Sequence, residues 1–308
     1  MDEQEVSSAE ADKEMKKKRN KGLEYITYIL IRLAVLPPLW VYRVLTWPLV
    51  SFGSSGWAIR KTGILQRIWK NLEIVFSKKG SGEKRLLVRR IIREALINSY
   101  ESGRLYRKSW LMRSVSAEGL SHLDGSLAQG KGVILFSAHL GNFTLILAYL
   151  RQYDYPVRNI GRDPSNLYLA RYFEKVRLRA GIRHIPKNPI AKSVKESIAW
   201  LKAGKIISLP SDQYASQGVP VPFFGRSVLT PTGPAVFARR LGCAVLPVSV
   251  VRQGKKHLIR IEPPFQTVHS ENADRDVRNN TAHLNLLIER WVRDYPEKWF
   301  GWFTRRFR

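Results

Sequence analysis

At 308 residues the chain has room for one large α/β unit or two ordinary domains, counting roughly 150 residues to a domain. Hydrophobic residues at 44% and charged residues at 25% exclude wholesale disorder and a polytopic membrane protein. Its 52 Lys and Arg against 25 Asp and Glu leave a formal charge of +27, a surface that seeks polyanions: nucleic acid, anionic lipid or an acidic carrier protein.

Residues 1–22 read as a basic polar tail that ends in Lys16, Lys17, Lys18, Arg19 and Lys21. Residues 23–57 read as a membrane-anchoring hydrophobic segment, rich in Tyr and Trp and interrupted by Arg32, Pro37, Pro38 and Arg43. A secretory leader would need a small-residue cleavage site, and none is convincing. A straight span is disfavoured, because Arg32 and the two prolines break the apolar run short of about 20 residues. The segment fits a kinked re-entrant or interfacial helix pair, with Arg32 snorkelling toward headgroups; a hairpin packed on a soluble domain is the alternative. Basic residues on both flanks, Lys16 to Lys21 and Arg60, Lys61, Arg67 and Lys70, favour both ends on the cytoplasmic face of a membrane.

The rest, 58–308, reads as one catalytic-type domain with a helical lead-in at 58–114 and an α/β core at 115–308. Ile64, Leu65, Ile68, Leu72, Val75 and Phe76 recur at helical spacing, as do Leu86, Leu87, Ile91, Ala95 and Ile97. The polar faces of these helices carry Arg85, Arg89, Arg90 and Arg93. No aromatic-interleaved RNA-recognition signature accompanies them, which argues against nucleic acid. Beyond residue 115, strands fit 132–137, 157–161, 182–185, 206–209, 244–251 and 257–262. Helices fit 145–150, 167–180, 190–201, 233–241 and 277–294. That alternation specifies an α/β fold with a mostly parallel or mixed sheet flanked by helices.

Chemistry concentrates where the strand ending at Ser137 gives way to a helix. Ala138-His139-Leu140-Gly141-Asn142-Phe143-Thr144 puts a histidine at the carboxyl end of a buried strand, the usual seat of ligands in open α/β sheets. The other histidines, His122, His184, His257, His269 and His283, have no Asp, Glu or Cys at metal-ligand spacing, and the lone Cys243 forms no cysteine cluster, so no metal is called for. Phosphate-loop, dinucleotide and Gly-x-Ser-x-Gly signatures are missing, so no cofactor and no serine nucleophile are expected.

The motif at 138–143, with Ser211-Asp212-Gln213, Val221-Pro222-Phe223-Phe224-Gly225, Thr230-Pro231-Thr232-Gly233-Pro234-Ala235, Val245-Leu246-Pro247-Val248 plus Arg252, and Tyr295-Pro296-Glu297-Lys298-Trp299, resembles the bacterial lipid A biosynthesis (lauroyl/myristoyl) late acyltransferase family. The resemblance covers nearly all of the chain after residue 23. It implies a glycerolipid-acyltransferase-like fold at the cytoplasmic face of a bacterial inner membrane. It also implies a fatty acyl group moved from an acyl carrier protein thioester, or another acyl thioester donor, to a hydroxyl of an anionic lipid A-type glycolipid. Its His-x4-Asp/Glu motif makes His139 the general base, yet the acidic position holds Thr144. Either Asp212 supplies the carboxylate, or the chain is an impaired or repurposed member that binds anionic glycolipid or transfers another acyl group, such as an aminoacyl residue.

The resemblance and residue chemistry together nominate His139 and Asp212 as catalytic, and Asn142, Thr144 and Gln213 beside them as substrate-binding. Arg162, Arg177 and Arg179 suit phosphates of acceptor or donor, since guanidinium forks match phosphate oxygens. Phe223 and Phe224 suit either an acyl-chain wall or a turn-and-core role. Thr230 and Thr232 suit either a helix cap or a phosphate seat.

Overall fold

The computed structural model describes residues 21–308, so the basic tail at 1–20 lies outside the described residues. Helices α1 (Lys21–Ala34) and α2 (Leu39–Gly53) form a hairpin around Pro37 and Pro38. Short α3 (Gly56–Lys61) then leads to α4 (Gly63–Val75), α5 (Ser81–Ser102) and α6 (Lys108–Ser114). The alternating part follows: β1 (Val115–Glu118), α7 (Leu120–Leu127), β2 (Val133–Ser137), α8 (Thr144–Gln152), β3 (Val157–Gly161), α9 (Leu167–Arg179), β4 (Arg183–Pro186), α10 (Ile190–Lys202) and β5 (Ile206–Pro210). A hairpin of β6 (Val219–Phe223) and β7 (Arg226–Thr230) precedes α11 (Gly233–Leu241), β8 (Ala244–Gln253), β9 (Lys256–Ile261) and α12 (Ala273–Asp294).

Seven strands make a mixed sheet in the order β1-β9-β8-β2-β5-β3-β4, parallel at every pairing except β8 with β9. Strand β2 is the hub, and all five of its residues are buried. Its side chains alternate between two cores. Ile134 and Phe136 pack with Leu284, Ile288 and Trp291 of α12, while Val133 and Leu135 pack with Leu145, Ala148 and Leu150 of α8. A strand covered on both faces reads as an unbroken apolar run, which is why the sequence exposed it. Each of the larger aliphatic and Phe side chains among them contributes roughly 1.5–3 kcal/mol by leaving water.

The strands expected from the sequence form within a residue or two of their expected ends. Strand β1, helix α7 and the β6–β7 hairpin are additions to it. The hairpin α1–α2 is joined to the body at its bend: the Arg104 guanidinium donates to the carbonyls of Val35, Leu36 and Pro37 at 2.8–3.2 Å, and the Tyr100 hydroxyl donates to Pro37 O at 2.6 Å. These carbonyls lie in the bend between α1 and α2, and Arg104 satisfies them there. Helix α1 buries no residue, and Leu23, Ile26, Leu30, Leu33, Trp40 and Trp47 are all more than half exposed. Among the described residues no helix is long and apolar enough to cross a membrane.

Candidate active site

Strands β2 and β5 run parallel with Ser137 opposite Pro210. His139 and Asp212 each lie two residues past that pair, so sheet register alone brings them together across 73 positions of sequence. Ser211 N–H donates to Ser137 O at 2.9 Å and carries the ladder one step further. His139 Nδ1 then lies 2.6 Å from Asp212 Oδ1, and Trp299 Nε1 donates to Asp212 Oδ2 at 2.7 Å.

Asp212 is wholly buried, whereas the His139 side chain keeps 21% exposure. Burial pushes the Asp212 carboxyl upward, but the facing imidazole and the donors of His139 and Trp299 outweigh it and hold the group below the usual carboxylate range. Burial likewise works to lower His139, and the charge and hydrogen bond of Asp212 reverse that, leaving the imidazole above its ordinary value. An ionised Asp212 fixes the proton of neutral His139 on Nδ1. The lone pair is then on Nε2, 3.4 Å from Gln213 Nε2.

The loop between β2 and α8 is held tightly. Gly141 has φ +57°, and a Cβ there would collide with Val250 O. Its N–H donates to Lys298 O and Phe300 N–H donates to His139 O, both at 2.8 Å, so residues 298–300 strap the histidine loop. The Phe143 ring meets the imidazole edge-on at 4.6 Å between centroids. A cavity of about 620 Å³ is lined by neighbours of the pair, Asn142, Phe143 and Trp299, and by Phe300, Ile91 and Val176, though not by His139 or Asp212 themselves. A largely apolar cavity of this size is within the usual range for a small-molecule site.

A family model described as bacterial lipid A biosynthesis acyltransferase matches residues 14–308. The chain belongs to that family. It is 25% identical over 282 residues to the lipid A biosynthesis palmitoleoyltransferase of Escherichia coli strain K12, which covers 88% of each chain. It is also 27% identical over 193 residues to the phosphatidylinositol mannoside acyltransferase of Mycobacterium tuberculosis strain H37Rv, over 58% of this chain and 60% of that one. The protein is thus an acyltransferase by family.

Within this acyltransferase, Thr144 makes no hydrogen bond to His139 or Asp212. Its hydroxyl donates to Asn142 Oδ1 at 2.5 Å and lies 3.5 Å from Ser102 Oγ. Buried Asn142 accepts from Ser102 Oγ at 3.2 Å and reaches Glu101 Oε2 at 3.5 Å. Glu101 in turn holds Arg252 and His257, so Arg252 of the family motif anchors β8 to α5. Despite its burial, those two partners hold the Glu101 carboxyl down at about 2.

Arg162, just past the end of β3, and Arg177 both line the apolar cavity, and Arg177 pairs with Asp163 at 2.6 Å. Arg179 parts from them and borders a neighbouring cavity, over the ring of Tyr106. Phe223 is in the core between Trp299 and Phe307, and Phe224, at φ +48°, turns the hairpin with its N–H on Glu289; neither lines the cavity, so the acyl-wall expectation gives way to the turn-and-core alternative. Thr230 is buried and accepts from Arg306 at 2.8 Å, which leaves it no ligand to seat. Thr232 occupies the N-cap of α11 without a side-chain cap bond. Trp299 is the residue that sequence reasoning missed as a participant. Its only signal was membership of the Trp-rich end.

Proposed function

We propose that this acyltransferase moves a fatty acyl group from an acyl carrier protein thioester to a hydroxyl of an anionic lipid A-type glycolipid at a membrane surface. The single observation that carries the reading is the 2.6 Å pairing of His139 with buried Asp212 beside an apolar cavity of about 620 Å³. His139 Nε2 takes the proton from the acceptor hydroxyl, and the resulting alkoxide attacks the thioester carbonyl. Asp212 orients the ring and balances the imidazolium, the task the family assigns to the acid at the position of Thr144. Collapse of the tetrahedral intermediate expels the carrier thiolate, which receives the proton back from His139. Asn142 N–H and Phe143 N–H, at the head of α8, make no hydrogen bond to another described residue and are suited to the developing oxyanion.

Asp212 supports an active enzyme over a binding-only scaffold, because a carboxylate does face the imidazole although Thr144 is not one. Arg162 and Arg177 at the cavity suit phosphate of donor or acceptor. The exposed apolar residues of α1 and α2 support the reading of 23–57 as an interfacial anchor and of 58–308 as the catalytic unit it carries, on the cytoplasmic face of the inner membrane. An acidic carrier suits the +27 chain.

The test is acyl transfer in washed membranes supplied with an acyl carrier thioester. His139→Ala and Asp212→Asn should both lose nearly all product, while Thr144→Ala stays within a few-fold of wild type. Full transfer by His139→Ala would overturn the mechanism. Lipid profiles of a strain with and without the chain identify acyl group and acceptor together, and an added aminoacyl group would redirect the donor assignment.

A further inference from the structure

A second cavity, of about 530 Å³, lies between α1 and α9 and shares Val35, Tyr172 and Val176 with the acyl cavity. Four cations line it: Arg32 from α1 and Arg171, Lys175 and Arg179 from α9. No Asp or Glu does, and none of the four has a carboxylate within ion-pair distance among the described residues. Arg171, Lys175 and Arg179 are spaced i, i+4, i+8, so they stack on one face of a single helix. Like charges at that spacing destabilise the helix that carries them. Arg171 and Lys175 form no hydrogen bond with any described residue. Arg32 Nη1 donates to the Tyr28 hydroxyl at 3.0 Å, which leaves that hydroxyl's own proton to offer. A concave site with four cations that no described carboxylate compensates, and with a phenol donor, is complementary to a multiply charged anion. Its outer edge is α1, whose Leu23, Ile26, Leu30 and Leu33 are exposed and apolar, so the anion's carrier is an amphiphile.

We propose that this cavity binds the phosphate ester of a lipid, the acceptor itself, and so presents the acceptor's sugar to the neighbouring site. The inference rests on the acyl-transfer reading for one step only, that the bound lipid is the acceptor.

Binding is measured by titration calorimetry on full-length His139→Ala protein, so the result does not depend on turnover. The probes are monomeric dihexanoyl phosphatidic acid, dihexanoylglycerol and inorganic phosphate. Saturable binding is expected for phosphatidic acid alone. Arg171→Gln/Lys175→Gln should weaken it about tenfold or more, the loss expected when charge-assisted hydrogen bonds to phosphate are removed. Removing two exposed cations of α12, Arg275→Gln/Arg278→Gln, should change it less than about twofold, as screened surface charge does. Equal losses in both pairs, or undiminished binding in the first, would overturn the site. Inorganic phosphate binding as tightly as the lipid would overturn the lipid assignment. In the wild-type enzyme, dihexanoyl phosphatidic acid should raise the apparent KM for glycolipid; binding without that competition would overturn the acceptor role. If no acyl transfer is seen with any acceptor, the proposed function fails while the binding result still stands or falls by itself.

Discussion

The indole nitrogen of Trp299 lies 2.7 Å from Asp212 Oδ2, the carboxylate oxygen that His139 leaves free. Both residues are buried, so each oxygen of a wholly enclosed anion has at least one donor. Trp299→Phe keeps an aromatic ring against Trp302 and Phe223 but removes the donor. A buried acceptor stripped of its partner costs about 1–3 kcal/mol, and more when charged. The expected outcome is a melting temperature lower by several degrees, read by calorimetry. Asp212 becomes more basic without the indole, so the pH of half-maximal acyl transfer should also move upward.

The pH profile of acyl transfer has a definite sign. The proposed general base must be neutral to take a proton, and Asp212 raises the pKa of His139 above the ordinary histidine value. The rate therefore climbs as pH rises through that elevated pKa and levels off above it. In Asp212→Asn the charge is gone while burial still disfavours the imidazolium. The acid limb should shift to lower pH, and the plateau should fall about 10³-fold or more through loss of the orienting carboxylate. A plateau within threefold of wild type would remove Asp212 from the mechanism.

Stability in acid should follow Glu101. Its folded pKa of about 2 lies below the ordinary 4.5, so its contribution is present above pH 4.5 and lost as pH falls toward 2. Glu101→Gln leaves buried Arg252 with Glu94 alone as its carboxylate, and breaking a buried pair from one side costs on the order of 3 kcal/mol. Urea unfolding at pH 7 should register that loss. Between pH 4.5 and 2.5 the variant should lose less stability than the wild type.

Gly141→Ala probes the histidine loop. An alanine at φ +57° is strained, and its Cβ would press on Val250 O, a backbone atom of a central strand that cannot yield cheaply. The loop must shift, and with it the 2.6 Å contact of His139 to Asp212. With His139 as the proposed base, activity should fall by at least about 100-fold, the cost of displacing such a group by roughly 1 Å. Normal kinetics in a well-folded variant would contradict the account of the loop.

What the sequence disclosed and what it hid divide along physical lines. Strand β2 announced itself because a strand buried on both faces is uniformly apolar, and His139 and Asp212 were legible because each follows such a strand. Strand β1, Val-Ser-Ala-Glu, carries no such pattern, and its pairing with β9 defines it. Pro220 and Pro222 disguised the β6–β7 hairpin, since proline is tolerated only where a strand has an unpaired edge. Arg177 and Arg179 looked alike in sequence, yet two residues along a helix turn a side chain to the opposite side, and the two guanidiniums border different cavities. The motif at the Trp-rich end contained Trp299 but hid its role, because its partner is 87 positions away and no periodicity encodes such a contact.

Attachment to lipid should depend on the tryptophans of the N-terminal hairpin. Trp40 and Trp47 are 70% and 60% exposed, and neither ring stacks on another described aromatic residue. Such surface is costly in water and suited to the interfacial zone of a bilayer. Trp40→Ser/Trp47→Ser should therefore leave the melting temperature unchanged within about 1 °C, because surface substitutions away from packed groups stay within about 0.5 kcal/mol. Sedimentation with phosphatidylglycerol vesicles in about 0.5 M salt, where exposed charges are screened, isolates the apolar contribution. Under those conditions the double variant should partition at least about tenfold more weakly, given that burying an aromatic side chain contributes roughly 1.5–3 kcal/mol. Unchanged partitioning at that salt would mean that some other surface holds the lipid, and a collapsed melting transition would mean that the hairpin belongs to the core.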